Sequence, residues 1–304
     1  LTPGQSSARS REALLLLSAK DQSVVVPALA THGLRAVERP DPGTPPALVI
    51  ADPALLAPRG LLVPNAVMSP LLLKSGPLDR TTLATCIELP AFFGLVARDT
   101  PNFTTSFDHA VRALLSTPPP VAAGPFATRI SGSADRERIL QELEVFLAVA
   151  GIRSRSVARV VNAVEELITN AVYDAPTDAA GQRLYLETDR REAISLAPHQ
   201  YPTLTVDVVD ARVTATMLDP FGSLETRAFK TFLARGLRGD FADKAGGAGL
   251  GFARIYAAVD SLHVHVIRGR STAITLRIDA AATRRDPGAR PNDLIVVEHG
   301  APAV

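Results

Sequence analysis

The sequence predicts an α/β protein of two domains. Three observations carry that expectation: a length of 304 residues, short apolar runs alternating with helix-like stretches, and a proline-rich break, "STPPPVAAGPF", between Ser116 and Phe126. A chain this long exceeds the usual size of one hydrophobic core. With 46% apolar and 21% charged residues it has the composition of an ordinary globular protein, with enough core material for two domains.

Composition also narrows the function classes. The formal net charge of +1 gives no electrostatic reason to expect nucleic acid. A single cysteine, Cys86, excludes an internal disulfide and a cysteine-rich metal centre and suits a reducing compartment, so the cytoplasm is the expected location. The run Ala13 to Leu17 is too short to span a bilayer, and no later apolar run reaches the length of about 18 residues that a membrane helix needs. Its flanks, "SREA" and "SAKD", also argue against a secretory leader.

Residues 1–10 read as a loose terminus. Then "ALLLLS" (13–18), "LRAVER" (34–39) and "ALVIAD" (47–52) are apolar runs bounded by turn residues, as buried parallel strands are. "QSVVVPALATHG" between the first two predicts a helix with Pro27 as a defect and Gly33 as its stop. "AVMSPLLLKSG", "FFGLVARD" and the periodic "TSFDHAVRALLST" continue the α/β alternation.

This order, over residues 11–116, resembles the flavodoxin-like receiver domain of two-component response regulators, with Asp52 where a receiver carries its phosphoacceptor. The resemblance lacks the acidic pair after the first strand, where "LLSAKDQ" offers only Asp21, and Arg98 stands where a lysine is expected. The segment therefore reads as a pseudo-receiver. Asp52 has two readings, a turn or capping aspartate ahead of Pro53 or a phosphoacceptor.

Residues 117–125 read as a semi-rigid linker. The second domain, 126–280, opens with the strand "ATRISG" and a helix "ADRERILQELEVFLAVAG" that Ser133 is expected to cap and Gly151 to stop. Next comes "SRSVARVVNAVEELITNAVYD", in which Val157, Val160, Val161, Val164, Leu167, Ile168, Ala171 and Val172 share one helical face. Asn162, Glu166, Asn170 and Tyr173 form a polar stripe on another. A carboxylate and an amide one turn apart can serve a metal-bound phosphate, the amide oxygen as a hard ligand and the carboxylate toward a nucleophile. The same stripe also suits a solvated face.

The strand pairs "TLTVDVVD" with "RVTATMLD" and "SLHVHVIRG" with "TAITLRID" flank a region, Ser223 to Ala245, that reads as a lid, and a glycine cluster. His263 and His265 alternate along one strand and are expected to be exposed. In "DKAGGAGLGFARIYAAV" the glycines Gly246, Gly247, Gly249 and Gly251 precede an apolar helical run, where backbone N–H groups and the helix dipole suit an anion, and the same glycines equally suit a flexible hinge. No strand precedes them as in a dinucleotide fold, and no Lys-Ser/Thr pair follows as in a Walker loop. Residues 281–304 read as a tail with one apolar patch, "LIVV".

In this order and spacing, "EELITNA", "MLDPFG" and "GGAGLGFARIY" resemble the ATPase domain shared by gyrase, heat-shock chaperones and histidine kinases (GHKL), and most closely the anti-sigma-factor serine kinases. The resemblance implies an α/β sandwich that binds Mg·ATP. Carried over by position, Glu166 is the base or water-orienting acid, Asn170 the Mg²⁺ ligand and Asp219 the acceptor for the adenine amino group, supported by Thr272. Gly222, Lys244, Gly246, Gly247, Gly249, Leu250 and Gly251 complete the nucleotide-binding set. Thr272 is equally a plain strand residue and Asp219 equally a turn aspartate before Pro220.

The sequence departs from the family's Asp-x-Gly-x-Gly box, with Phe221 and Ser223 where glycines belong, and Phe221 is expected to tighten or block the adenine side. The lid offers Lys230, Arg235, Arg238 and Lys244 as phosphate partners or as solvated cations. Asp174 to Pro202 is an insertion suited to a partner. His109, with no second helix after it, reads as a surface residue and not as a phosphoacceptor. The expected function is a signalling protein acting on a regulatory partner, as a serine/threonine kinase or as a non-catalytic nucleotide-responsive binding module, with homodimerisation left open.

Overall fold

Residues 11–39, 46–53, 70–74, 78–89, 92–100, 103–115, 124–240, 248–281 and 292–299 are described by the computed structural model. Contacts divide the chain into two units, Leu1–Gly76 with Leu89–Leu115, and Pro77–Glu88 with Ser116–Val304. Across the described residues the protein is mixed α/β, and no described helix is long and apolar enough to cross a membrane.

In the first unit β1 (Glu12–Leu16), α1 (Ala19–Ala30), β2 (Arg35–Val37), β3 (Leu48–Ala51) and β4 (Pro70–Lys74) follow one another. The next helix, α2 (Arg80–Ile87), groups with the second unit, and the chain returns for β5 (Gly94–Ala97) and α3 (Phe103–Leu115). Every strand pair is parallel, in the order β2-β1-β3-β4-β5. β3 and β5 are buried along their whole length, which is why they read as unbroken apolar runs. Ser18 caps α1: its hydroxyl accepts the Asp21 N–H and donates to the Asp21 carboxylate at 2.7 Å. Pro27 sits inside that helix, which tolerates the missing N–H.

The second unit is built on β6 (Phe126–Arg129), α4 (Asp135–Val149), α5 (Ser154–Thr169), β7 (Thr203–Val209), β8 (Arg212–Asp219), α6 (Thr226–Arg238), α7 (Ala248–Ala258), β9 (Ser261–Ile267), β10 (Ser271–Asp279) and β11 (Asp293–His299). Its strands run in the order β11-β9-β10-β8-β7-β6, antiparallel except for the parallel β11–β9 pair. β8 and β10 alternate buried and half-exposed residues, as a sheet with one covered face does. α5 covers it with Val157, Val160, Val164, Leu167 and Ile168, whereas Val161 is only half-buried.

Four features differ from the sequence reading. The "LIVV" patch of the tail is the middle of β11, a strand with Leu294 and Ile295 fully buried. The lid contains a regular helix, α6, whose Phe229, Leu233 and Ala234 are buried. α4 starts at Asp135 with Ala134 in the N-cap position and no side-chain cap, because the Ser133 hydroxyl instead accepts the Ile194 N–H at 2.9 Å. His263 is buried, its Nε2 2.8 Å from the Ser261 hydroxyl, and His265 stacks on His299 with ring centroids 6.0 Å apart. The added strand β11 covers what would have been an open sheet edge at β9.

Candidate functional site

α5 does not end in a cap. It runs into a π-helical turn, Asn170–Asp174, closed by the Ala175 N–H on the Asn170 carbonyl at 2.9 Å. Such single π turns occur often at functional sites. All five of its residues are buried, so the polar stripe that begins exposed at Asn162 and is half-exposed at Glu166 descends into the protein at Asn170 and Tyr173.

Beside this turn lies a cavity of about 80 Å³. One wall is helical, with Leu167, Asn170, Ala171 and Asp174, and the other is the sheet, with Met217, Asp219, Thr272 and Ile274. Phe229 and Phe232 of α6 and Phe252 of α7 close the third side, Phe229 and Phe252 meeting edge to face at 4.9 Å. Thr272 is the cross-strand partner of Asp219. The structure thus brings Asn170, Asp219 and Thr272, more than a hundred residues apart at the extremes, into one cavity.

Asp219 ends β8 and is almost completely buried. Its Oδ1 accepts the N–H groups of Phe221 at 2.9 Å and Gly222 at 3.3 Å, so the turn role is realised while the residue also lines the cavity. Burial pushes its carboxyl up to about 6, against those two donors. Thr272 lies close enough to favour the carboxylate, but its hydroxyl has no hydrogen bond of good geometry. Gly222 has φ +61°, and a Cβ there would meet the Ile267 carbonyl oxygen at 2.1 Å, so only glycine fits. Phe221 is half-exposed and does not line the cavity; the aromatic narrowing comes from α6 and α7 instead.

The glycine-rich segment meets the helical wall at Gly251. A Cβ on Gly251 would lie 2.6 Å from Oε2 of Glu166 and 4.0 Å from Nδ2 of Asn170. Glycine at this position lets α7 approach the two residues that the stripe singled out. The Glu166 carboxylate also faces the Arg254 guanidinium at 3.6 Å. Gly249 and Leu250 belong to the first turn of α7. Lys244, Gly246 and Gly247 lie outside the described residues.

Among the polar groups of the cavity several are unmatched. Asn170 Nδ2, Asp174 Oδ2 and Thr272 Oγ1 are buried without a hydrogen-bond partner. Sequence reading stopped the site at Asn170 and assigned Asp174 to the insertion, although Asp174 continues the four-residue spacing from Glu166 through Asn170. Arg183 was missed too. Its guanidinium bonds the Asp174 carbonyl at 2.9 Å and the Ser223 carbonyl at 3.2 Å, forming a rim that sequence spacing does not foretell.

The insertion is tied to its own unit. Arg190 binds the Asp174 carboxylate at 2.7 Å and stacks over the Tyr173 ring at 4.7 Å, while the Tyr173 hydroxyl reaches the Arg190 and Glu192 carbonyls. The described cations that the sequence singles out in the lid, Lys230, Arg235 and Arg238, do not line the cavity: Lys230 is buried, and Arg238 grips Glu88 with two bonds of 2.8 and 2.6 Å.

In the first unit Asp52 follows β3, its N–H bonded to the Leu16 carbonyl at 3.0 Å. Arg98 pairs with Asp21 at 2.6 Å and with Asp99 at 2.9 Å. No group of three or more metal-ligating side chains occurs among the described residues. No protein-family model matches the sequence, and comparison with curated proteins gives no match.

Proposed function

We propose that the second unit is a GHKL-type nucleotide-binding domain that takes Mg·ATP in the cavity between α5 and the β8–β10 sheet. The observation that carries the reading is convergence: Asn170, Asp219 and Thr272 line one cavity, and Gly251 abuts Glu166 and Asn170. The chemistry of the residues fits the ligand. A buried carboxylate at the sheet wall suits an amino donor of the base, an amide suits a hard cation and its phosphates, and a glycine helix start suits close backbone approach to phosphate.

Mg·ATP, when bound, supplies a transferable phosphoryl group. Glu166, half-exposed and one helical turn from the cavity-lining Asn170, is the candidate to orient or deprotonate a hydroxyl acceptor, and positioning and electrostatics do most of such catalysis. The resemblance to anti-sigma-factor serine kinases makes the acceptor a serine or threonine of a regulatory protein partner in the cytoplasm. A second reading, a non-catalytic nucleotide-responsive binding module, is favoured by the Arg254 guanidinium on Glu166 and by the three phenylalanines that narrow the cavity. The first unit is read as a flavodoxin-like pseudo-receiver. Its support is the 2-1-3-4-5 parallel order and the Asp21–Arg98 pair where a receiver keeps acids for a metal.

Calorimetric titration with Mg·ATP tests the reading. Saturable binding that is lost in Asn170→Ala, with turnover or transfer lost in Glu166→Ala, is expected for the kinase. Binding without either activity selects the binding module, and no binding by the intact chain overturns both.

A further inference from the structure

We infer that Asp174 is a second ligand-reading carboxylate of this cavity and accepts a hydrogen bond from a ribose hydroxyl of the nucleotide. The inference rests on the nucleotide reading above and adds a residue and a selectivity to it.

Asp174 is the last residue of the π turn and lines the cavity. It is only 7% exposed. Arg190 Nη2 occupies Oδ1 at 2.7 Å, while Oδ2 is buried with no hydrogen-bond donor and Arg190 Nη1 is buried without an acceptor. Burial raises its proton affinity, an effect that Arg190 and Arg183 oppose. Leaving a buried acceptor empty is costly, the more so for a charged group, so an unmatched oxygen on a residue that lines a cavity calls for a donor from the ligand.

Position along the helix indicates which donor. Glu166 and Asn170, against Gly251, mark the phosphate end. Asp219 with Thr272 on the opposite wall marks the base end and takes the amino group. Asp174 stands one turn beyond Asn170, away from the phosphates, on the helical wall. Between base and phosphates lies the sugar, whose donors are its two hydroxyls. Arg190 fixes the carboxylate through one oxygen and leaves the other for that hydroxyl, which a carboxylate binds more strongly than a neutral acceptor would.

The test compares ATP with 2′-deoxy-ATP and 3′-deoxy-ATP, all with Mg²⁺, on the intact chain and on Asp174→Asn, by calorimetry. One deoxy analogue is expected to bind the intact chain at least about tenfold more weakly than ATP, since a hydrogen bond to a charged group is worth about 1.5–3 kcal/mol. Asp174→Asn is expected to weaken ATP by a similar factor and to remove the discrimination between ATP and that analogue. ATP and both deoxy analogues binding the intact chain equally would overturn the inference while leaving the nucleotide reading standing; this arm needs no variant to fold. Asp174→Asn that keeps the full discrimination would overturn it as well. Absence of any ATP binding by the intact chain removes the nucleotide reading itself.

Discussion

The strand ends of the first unit and the cavity of the second both gather buried polar side chains, and they treat them in opposite ways. Around Asp21 the charges close on one another: Arg98 lies 2.6 Å from its carboxylate and the Ser18 hydroxyl donates to the other oxygen at 2.7 Å, although Asp21 Oδ1 and Arg98 Nε make no hydrogen bond of good geometry. Around Asn170 they stay open, with Asn170 Nδ2, Asp174 Oδ2 and Thr272 Oγ1 buried and unmatched beside a cavity. An unmatched buried polar atom costs stability, and folds retain such atoms where something else repays them. The contrast is between a corner whose buried charges neutralise one another and a cavity wall whose buried polar groups have no opposite charge beside them except at Asp174.

The largest expected effect tests the closed corner. Arg98→Ala leaves Asp21 buried without its counter-charge, both side chains being nearly inaccessible in the native state. Breaking a buried pair from one side costs about 3–5 kcal/mol. Denaturant unfolding at neutral pH should show a loss of this size. A loss below about 1 kcal/mol would mean that the corner is more hydrated than its geometry indicates.

A smaller effect, of opposite sign, is expected at the open site. The Asp219 carboxyl is raised to about 6 in the folded state from an ordinary 3.8, so the protein gains stability as pH falls below 6 and loses it as pH rises through 6. At pH 8 the penalty is on the order of 3 kcal/mol. Asp219→Asn should therefore be more stable than the parent above pH 6 and lose that advantage toward pH 4. Taking the difference between the two chains cancels other titrations, including that of His265. Burial beside His299 depresses His265 to about 4, so it removes stability as pH falls from about 6.5 toward 4. A pH-independent difference between Asp219→Asn and the parent would contradict the buried, ionisable state assigned to Asp219.

Gly251→Ala sharpens the comparison further, because it alters the open site without touching a charge. The new Cβ would lie 2.6 Å from the Glu166 carboxylate, the movable end of a side chain, so the stability change should stay within about 1 kcal/mol. On the proposed nucleotide reading, Mg·ATP binding should weaken about tenfold or more, since Glu166 must turn aside from the new Cβ. Unaltered binding would detach the α7 start from the ligand.

Much of this was legible in the sequence, and the reason lies in which interactions are local. α1, α4 and α5 announce themselves by apolar spacing, and the strands β1, β3, β5, β7, β8, β9 and β10 by apolar runs or alternation between turn residues. Glu166 and Asn170 were found by a four-residue spacing, a property of one helix. What escaped depends on distant partners. β11 looked like a tail because its burial requires β9, and "LIVV" alone is too short to declare itself. The π turn carries Asp174 along the cavity wall without any local signature in "NAVYD". His263 looks like an exposed strand residue until Ser261 and a covered sheet face enclose it. Arg183 reaches the rim by two backbone carbonyls from different segments, contacts that no spacing encodes.

The smallest effect is expected at Asp52, where the two regions are compared most directly. In a receiver a strand-end aspartate is phosphorylated because neighbouring acids hold a metal and a free cation receives the phosphoryl oxygens. Here the cation that follows β5, Arg98, already spans Asp21 and Asp99 at 2.6 and 2.9 Å. Drawing it to Asp52 would strand the buried Asp21 carboxylate, at the same cost of about 3–5 kcal/mol as Arg98→Ala. Incubation with acetyl phosphate and Mg²⁺ should therefore add no phosphoryl mass to the first unit. A phosphoryl adduct present in the parent and absent in Asp52→Asn would show that Arg98 can leave Asp21, and the closed corner would then be a switch instead of a scaffold.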